Sequence, residues 1–276
     1  MTMTRMTTQG FFQIALTTGL LIGAASAARA AFPASPVTAC APDAVVAGSV
    51  CLDRYEATVW RVPNPSTTNA PLVRKIQLGM AIRADLTAAG ATQLGVTGAD
   101  YAPCARNGQN CANDIYAVSL PSETPSTFIT WFQAQEACAN SGKRLPTNAE
   151  WQVGANGTPD AGPDNGTTDC NTNSGEGVAP TGSRASCVSA RGAFDMVGNV
   201  QEMVADWVPA PTNCPGWASF SDDEMCIAGA STTTPFPAVL RRGGWFASGT
   251  HAGPFAVAAF PPARSNASFV GFRCAR

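Results

Sequence analysis

The sequence predicts an α+β domain that is loop-rich, low in regular secondary structure and braced by disulfides. Three observations carry this expectation. All ten cysteines lie after residue 39. Gly, Pro, Asn and Ser dominate long stretches in which neither a helix nor a strand period survives. Regular elements announce themselves at only a few places, notably two capping boxes near the middle of the chain. The 276 residues carry 45% apolar side chains, enough for a globular core, but only 13% charged ones. The net charge of −2 comes without any basic block, which disfavours nucleic acid as a partner. The single histidine, His251, excludes zinc or iron centres that need several imidazoles.

Residues 1–30 read as a cleavable signal peptide. Arg5 precedes a mostly apolar run, Phe11 to Ile22, and Ala28-Arg29-Ala30 gives a small-x-small cleavage site. The run is too short and polar for a membrane span, so no membrane insertion is expected after cleavage, and a secreted or periplasmic location follows. An even number of cysteines behind such a leader implies five disulfides. Ten cysteines allow about 945 connectivities, so spacing alone does not fix them. Short loops favour Cys40–Cys51, Cys104–Cys111, Cys170–Cys187 and Cys214–Cys226, which leaves Cys138 and Cys274 for each other.

Residues 31–49 read as a lead-in, and 50–276 as the domain. Cys51 to Trp60 is one strand, stopped by Pro63 and Pro65. Residues 66–126 read as a long surface excursion tied down by Cys104–Cys111, with one strand at Ile115 to Leu120. Thr130 followed by Gln133 starts a helix that places Trp131, Ala134, Gln135 and Cys138 on one face, and Gly142 ends it. Thr147 with Glu150 starts a second, short helix. Residues 154–190 are loop and need an external tie. Arg241 to Phe246 and Phe269 to Cys274 read as closing strands.

Four segments then point to a family. They are Ala137-Cys138-x3-Gly142-Lys143-Arg144-Leu145-Pro146-Thr147-x2-Glu150-Trp151, Phe194-Asp195-Met196-Val197-Gly198-Asn199-Val200-x-Glu202, Arg242-Gly243-Gly244, and Gly271-Phe272-Arg273-Cys274-Ala275. In this order they resemble the signature of the formylglycine-generating enzyme (sulfatase-modifying factor) family. The resemblance implies a fold similar to C-type lectins, with a twisted antiparallel sheet, two helices and long loops. It also implies a disulfide between Cys138 and Cys274.

The family's best-known activity oxidises a sulfatase cysteine to formylglycine with oxygen and copper(I), held by two cysteines five residues apart after the Arg-Gly-Gly strand. An ungapped match puts Ser248 and Gly253 at those positions. Neither binds Cu(I), which wants thiolates, so copper is not expected. A histidine-rich sulfoxide-forming branch is excluded by the lone His251. The resemblance further implies a structural calcium ion held by the Asp195 and Glu202 side chains and the Gly198 and Val200 carbonyls, a donor set suited to a hard cation. A second family calcium site would involve Asn171 and Thr172, but its later aspartate has no counterpart.

The expected function is therefore a secreted, calcium-stabilised binding or accessory module. Its partner is an extended peptide or other protein segment in a cleft framed by residues 245–268, with Trp245, Phe246, His251, Phe255 and Phe260 as lining. The rival is an enzyme, either a genuine formylglycine-generating oxidase or a divergent catalyst in the same groove. Ser248 three residues before His251 invites a nucleophile reading, but no carboxylate orienter is identifiable. Arg144 and Arg273 are expected to be structural, pairing with carboxylates such as Glu150 or Asp206. The run Asp222-Asp223-Glu224 offers a cation site, though such runs are more often solvated loop tips.

Overall fold

The computed structural model describes residues 37, 39–111, 114–160, 162–173, 175, 177–234, 236–259 and 262–276. The leader reading of residues 1–30 lies outside them. In chain order the strands and helices are β1 (Ala44–Ala47), β2 (Val50–Asp53), β3 (Ala57–Arg61), α1 (Ala70–Gln77), α2 (Arg83–Ala88), β4 (Thr92–Leu94), β5 (Ile115–Ser119), α3 (Trp131–Asn140), α4 (Asn148–Ala155), β6 (Gln201–Pro209), β7 (Met225–Cys226), β8 (Pro237–Arg242), β9 (Val257–Ala258) and β10 (Val270–Phe272). They form a β1-β2 hairpin, a sheet of order β4-β3-β5, and a sheet of order β10-β6-β8-β9-β7.

All ten cysteines pair: Cys40–Cys51, Cys104–Cys111, Cys138–Cys274, Cys170–Cys187 and Cys214–Cys226. Both capping boxes form. Gln133 N donates to Thr130 Oγ1 at 3.3 Å, and Glu150 N to Thr147 Oγ1 at 3.2 Å. Ala134, Ala137 and Cys138 are the buried face of α3, and Gly142 ends it with φ of +67°. Among the described residues the 154–190 segment holds no strand or helix beyond the end of α4, and Cys170–Cys187 supplies its tie.

The structure corrects four expectations. Residues 66–126 are not a surface excursion: α1 and α2 bury Leu72, Ile76 and Leu86 against Trp60, Val62 and Tyr116. The strand read as Cys51–Trp60 is two strands, because the chain bends at Arg54–Tyr55 between β2 and β3. The lead-in is partly structural, since β1 pairs with β2 and so lies before the expected domain start at residue 50. The strand expected to run to Phe246 stops at Arg242, where Gly243 and Gly244 take φ of +85° and +76°. That left-handed pair turns the chain out of the sheet into the cleft segment.

The C-terminal segment closes the domain. Arg276 N and Cys51 O, and Cys51 N and Arg276 O, bond at 2.9 Å each, and Ala275 N donates to Arg144 O at 2.7 Å. Lys143 is buried there. Its Nζ donates to Asp43 Oδ2 at 2.7 Å and Asp53 Oδ1 at 2.6 Å, which joins the β1-β2 hairpin to the turn after α3.

Candidate functional site

After Gly244 the chain makes a tight turn. Trp245 N donates to Ser248 Oγ at 3.0 Å and Ser248 N to Trp245 O at 2.9 Å, and a single 3-10 turn, Gly249–His251, follows. This turn forms one wall of a cleft of about 420 Å³. The Cys214–Cys226 loop forms the other, and the lining includes Asp222, Asp223, Glu224, Trp245, Ser248 and His251. Of the five side chains expected to line the cleft, the structure brings Trp245 and His251 together there. Phe246 is half-buried against Trp245, with ring centroids 4.8 Å apart. Phe255 instead packs on the surface against Phe220, at 4.9 Å. Phe260 lies outside the described residues. A shallower depression of about 620 Å³ between Arg106 and Arg264 shares no lining residue with the cleft.

Ser248 Oγ is taken up by the turn it closes. Gly253 is buried, and a Cβ built on it would overlap the Asp223 carboxylate. The Asp223 side chain thus fills the space a side chain at position 253 would need. Asp223 Oδ2 accepts from Phe255 N at 2.7 Å. Asp160, which follows α4, comes up beside Asp222 and Asp223, and one carboxylate oxygen of each lies within 4.8 Å of the others. Burial, then the charges of Asp223 and Asp222, push the Asp160 carboxyl up to about 6. Burial also raises Asp223 and Glu224. Sequence reading singled out Asp222 and Asp223 but missed Asp160, because 62 residues separate it from Asp222 and only the fold brings them together.

Asp195, Gly198, Val200 and Glu202 sit in a second, buried place. Asp195, Gly198 and Asn199 all adopt positive φ, and a Cβ at Gly198 would overlap the Asn171 carbonyl, so this turn tolerates only glycine there. Asp195 Oδ2 accepts from Gly182 N at 2.6 Å. Arg273 grips Glu202 with two nitrogens, and Trp151 Nε1 donates to Glu202 Oε2 at 2.6 Å. Arg273 thus pairs with a carboxylate, but not with either of the two examples named from the sequence. Arg144 does pair with Glu150, at 2.7 Å, but Arg273 pairs with Glu202, and Asp206 accepts from Asn148 N instead.

Glu56, absent from the sequence reading, completes this group. Its carboxylate accepts from Asn199 Nδ2 at 2.6 Å and Val200 N at 3.2 Å. Burial, with repulsion from Asp195 and Glu202, holds Glu56 well above the usual carboxylate range. Burial likewise pushes Asp195 up to about 7. Three buried carboxyls therefore gather about the Arg273 guanidinium, and the charge of Arg184 reaches Asp195 as well. Neither the Gly198 nor the Val200 carbonyl accepts a hydrogen bond among the described residues, and Asn171 Oδ1 is buried without a partner.

These features define a loop-rich, disulfide-braced α+β domain with a cleft after a Gly-Gly turn and a buried acidic network behind it. Residues 92–276 match the family model described as Sulfatase-modifying factor enzyme 1-like domain. The chain belongs to that family, and its fold is the family's, similar to C-type lectins. Among solved structures it is similar to CarF, at 17% identity and a TM-score of 0.41, over 82% of this chain and 85% of that one. It is also similar to PvdO from Pseudomonas aeruginosa, at 20% identity and a TM-score of 0.38, over 82% and 80%. The U1 variant of Major Tropism Determinant matches at 17% identity and a TM-score of 0.44, over 86% of this chain and 53% of that one. The chain spans about half the length of the Major Tropism Determinant variants it matches. No curated protein matches it.

Proposed function

We propose that this family member works without copper, as a secreted or periplasmic binding or accessory module whose cleft at Trp245–His251 receives an extended peptide. The observation that supports it most is the chemistry at Ser248 and Gly253. Copper(I) needs thiolates, and all ten cysteines are spent in disulfides. The room a thiolate at position 253 would occupy holds the Asp223 carboxylate, a hard donor. Five disulfides fit folding in an oxidising compartment, and no helix among the described residues is long and apolar enough to cross a membrane.

Structural calcium at Asp195, Gly198, Val200 and Glu202 belongs to the same proposal. Three buried carboxyls outnumber the two guanidiniums near them, Arg273 and Arg184, which favours a cation there, and the two free carbonyls are suitable ligands. Glu202 would keep Arg273 and Trp151 and lend the one lone pair left on Oε1.

The test is incubation of the purified protein with Cu(I), oxygen and a Cys-x-Pro-x-Arg peptide, with mass spectrometry as the readout, beside a selection of displayed random peptides against the same protein. The expected result is no formylglycine, and enriched peptides that lose binding to Trp245→Ala. Turnover above a no-protein control overturns the proposal in favour of the oxidase. Peptides that bind Trp245→Ala equally well overturn the placing of the cleft.

A further inference from the structure

Asp222 and Asp223 line the cleft, and Asp160 lines a small adjoining pocket with Pro159 and Asp169. Among the described residues, none of Asp160, Asp222 and Asp223 forms an ion pair. Arg242, whose charge reaches Asp223, donates through Nη2 to Gln152 and to Pro254 O and forms no ion pair with the carboxylate. The imidazole of His251 faces the Asp222 carbonyl at 3.0 Å rather than a carboxylate. Like charges this close repel unless a proton or a cation joins them.

A second observation points to what joins them. Asp223 is 1% exposed, and its Oδ1 is buried without a hydrogen-bond partner. Leaving a buried charged acceptor unsatisfied is costly, so such an atom calls for a ligand. Gly253 leaves open the space in which that oxygen lies. The carboxylate is held in place from the other side by the Phe255 amide, so it is already oriented before anything binds.

We infer that Asp160, Asp222 and Asp223 bind one hard divalent cation, of the size of Ca²⁺, in the wall of the cleft. All three donors are carboxylate oxygens, which select calcium-like ions over soft metals. Two bonds of about 2.3–2.6 Å put oxygens on one calcium ion no more than about 5 Å apart. The trio's oxygens, all within 4.8 Å of one another, fall inside that reach. Water would complete the shell on the open side, where Asp160 and Asp222 are exposed. The ion would clamp the loop after α4 to the Cys214–Cys226 loop and fix one wall of the cleft. This site shares no residue with the Asp195–Glu202 position and stands independently of it.

The test is calorimetric titration of chelator-treated full-length protein with calcium chloride, repeated on Asp160→Asn, Asp222→Asn and Glu202→Gln. Terbium luminescence sensitised by Trp245, which lines the same cleft, gives a second readout. Asp160 and Asp222 are exposed, so their variants should melt like wild type without calcium. The expected result is a site weakened by about tenfold or more in Asp160→Asn and Asp222→Asn and retained in Glu202→Gln, because affinity follows the number of charged ligands. Identical isotherms for wild type and both Asp variants overturn the inference, as does a wild type that takes up no calcium. Loss confined to Glu202→Gln assigns the ion to the buried network and overturns it as well.

Discussion

At the scale of single residues, Arg273 is the side chain on which most depends. It is fully buried, grips Glu202 with two nitrogens, and donates to the carbonyls of Asp53 at 3.0 Å and Phe194 at 2.8 Å. The charges of Glu56 and Asp195 lean on the same guanidinium. Breaking a buried pair by removing one partner costs about 3–5 kcal/mol, because the other charge stays behind. The two halves of this pair are not equivalent. Arg273→Met strands three carboxyls and the carbonyls of Asp53, Arg54 and Phe194, whereas Glu202→Gln leaves a guanidinium that still has Glu56 and Asp195 near it. Urea unfolding should therefore show Arg273→Met at or beyond the upper end of that range and Glu202→Gln below it. Equal losses would mean that Glu56 and Asp195 are neutral and indifferent to Arg273. The sequence identified Arg273 as structural and paired with a carboxylate but did not point to Glu202. Nothing local links positions 202 and 273, which become neighbours only through the parallel pairing of β10 with β6.

At the scale of elements, what could be read in advance was what local chemistry dictates. Thr130 with Gln133, and Thr147 with Glu150, are reciprocal caps whose spacing is legible without any fold, and both helices start where the caps say. Replacing an N-cap Thr by Ala costs about 0.5–2 kcal/mol. Thr130 is buried and its hydroxyl also donates to Arg106 O at 2.8 Å, whereas Thr147 is partly exposed. Thr130→Ala should fall at the top of that range and Thr147→Ala nearer the bottom, as measured by the shift in denaturation midpoint. The elements missed were those without such signals. α1 has no side-chain cap, and α2 begins at Ile82 rather than at a polar residue, so both are stable because Leu72, Ile76 and Leu86 find Trp60 and Tyr116 beneath them. Tertiary burial of that kind is invisible to a local reading, although Pro71 in the first turn and Leu72 with Ile76 four residues on were faint evidence. The cleft divides in the same way. The segment after Gly244 was legible because it is contiguous, while the opposite wall from the Cys214–Cys226 loop was not.

At the scale of the whole molecule, five disulfides share the work unequally, and loop length orders them. A cross-link stabilises mainly by restricting the unfolded chain, more so as the loop it closes lengthens. Cys138–Cys274 spans 136 residues and joins α3 to the C-terminal segment, whereas Cys104–Cys111 spans 7. The chain-entropy relation gives about 5 kcal/mol for the first and about 2 kcal/mol for the second. The long bridge also lies in the main core beside Ala134, Leu145 and Phe272, so its loss removes packing as well as a constraint. Cys138→Ala with Cys274→Ala should therefore lower the unfolding free energy by at least twice as much as Cys104→Ala with Cys111→Ala. Denaturant titration of the two double variants measures the ratio. Each retains eight paired cysteines, so thiol assay of the unfolded, unreduced proteins should read essentially zero and confirm that no bridge has reshuffled. If the short-loop variant proves the more damaging, the segment around Cys104 and Cys111 is held by its disulfide rather than by the core, and the entropic ordering does not govern this fold.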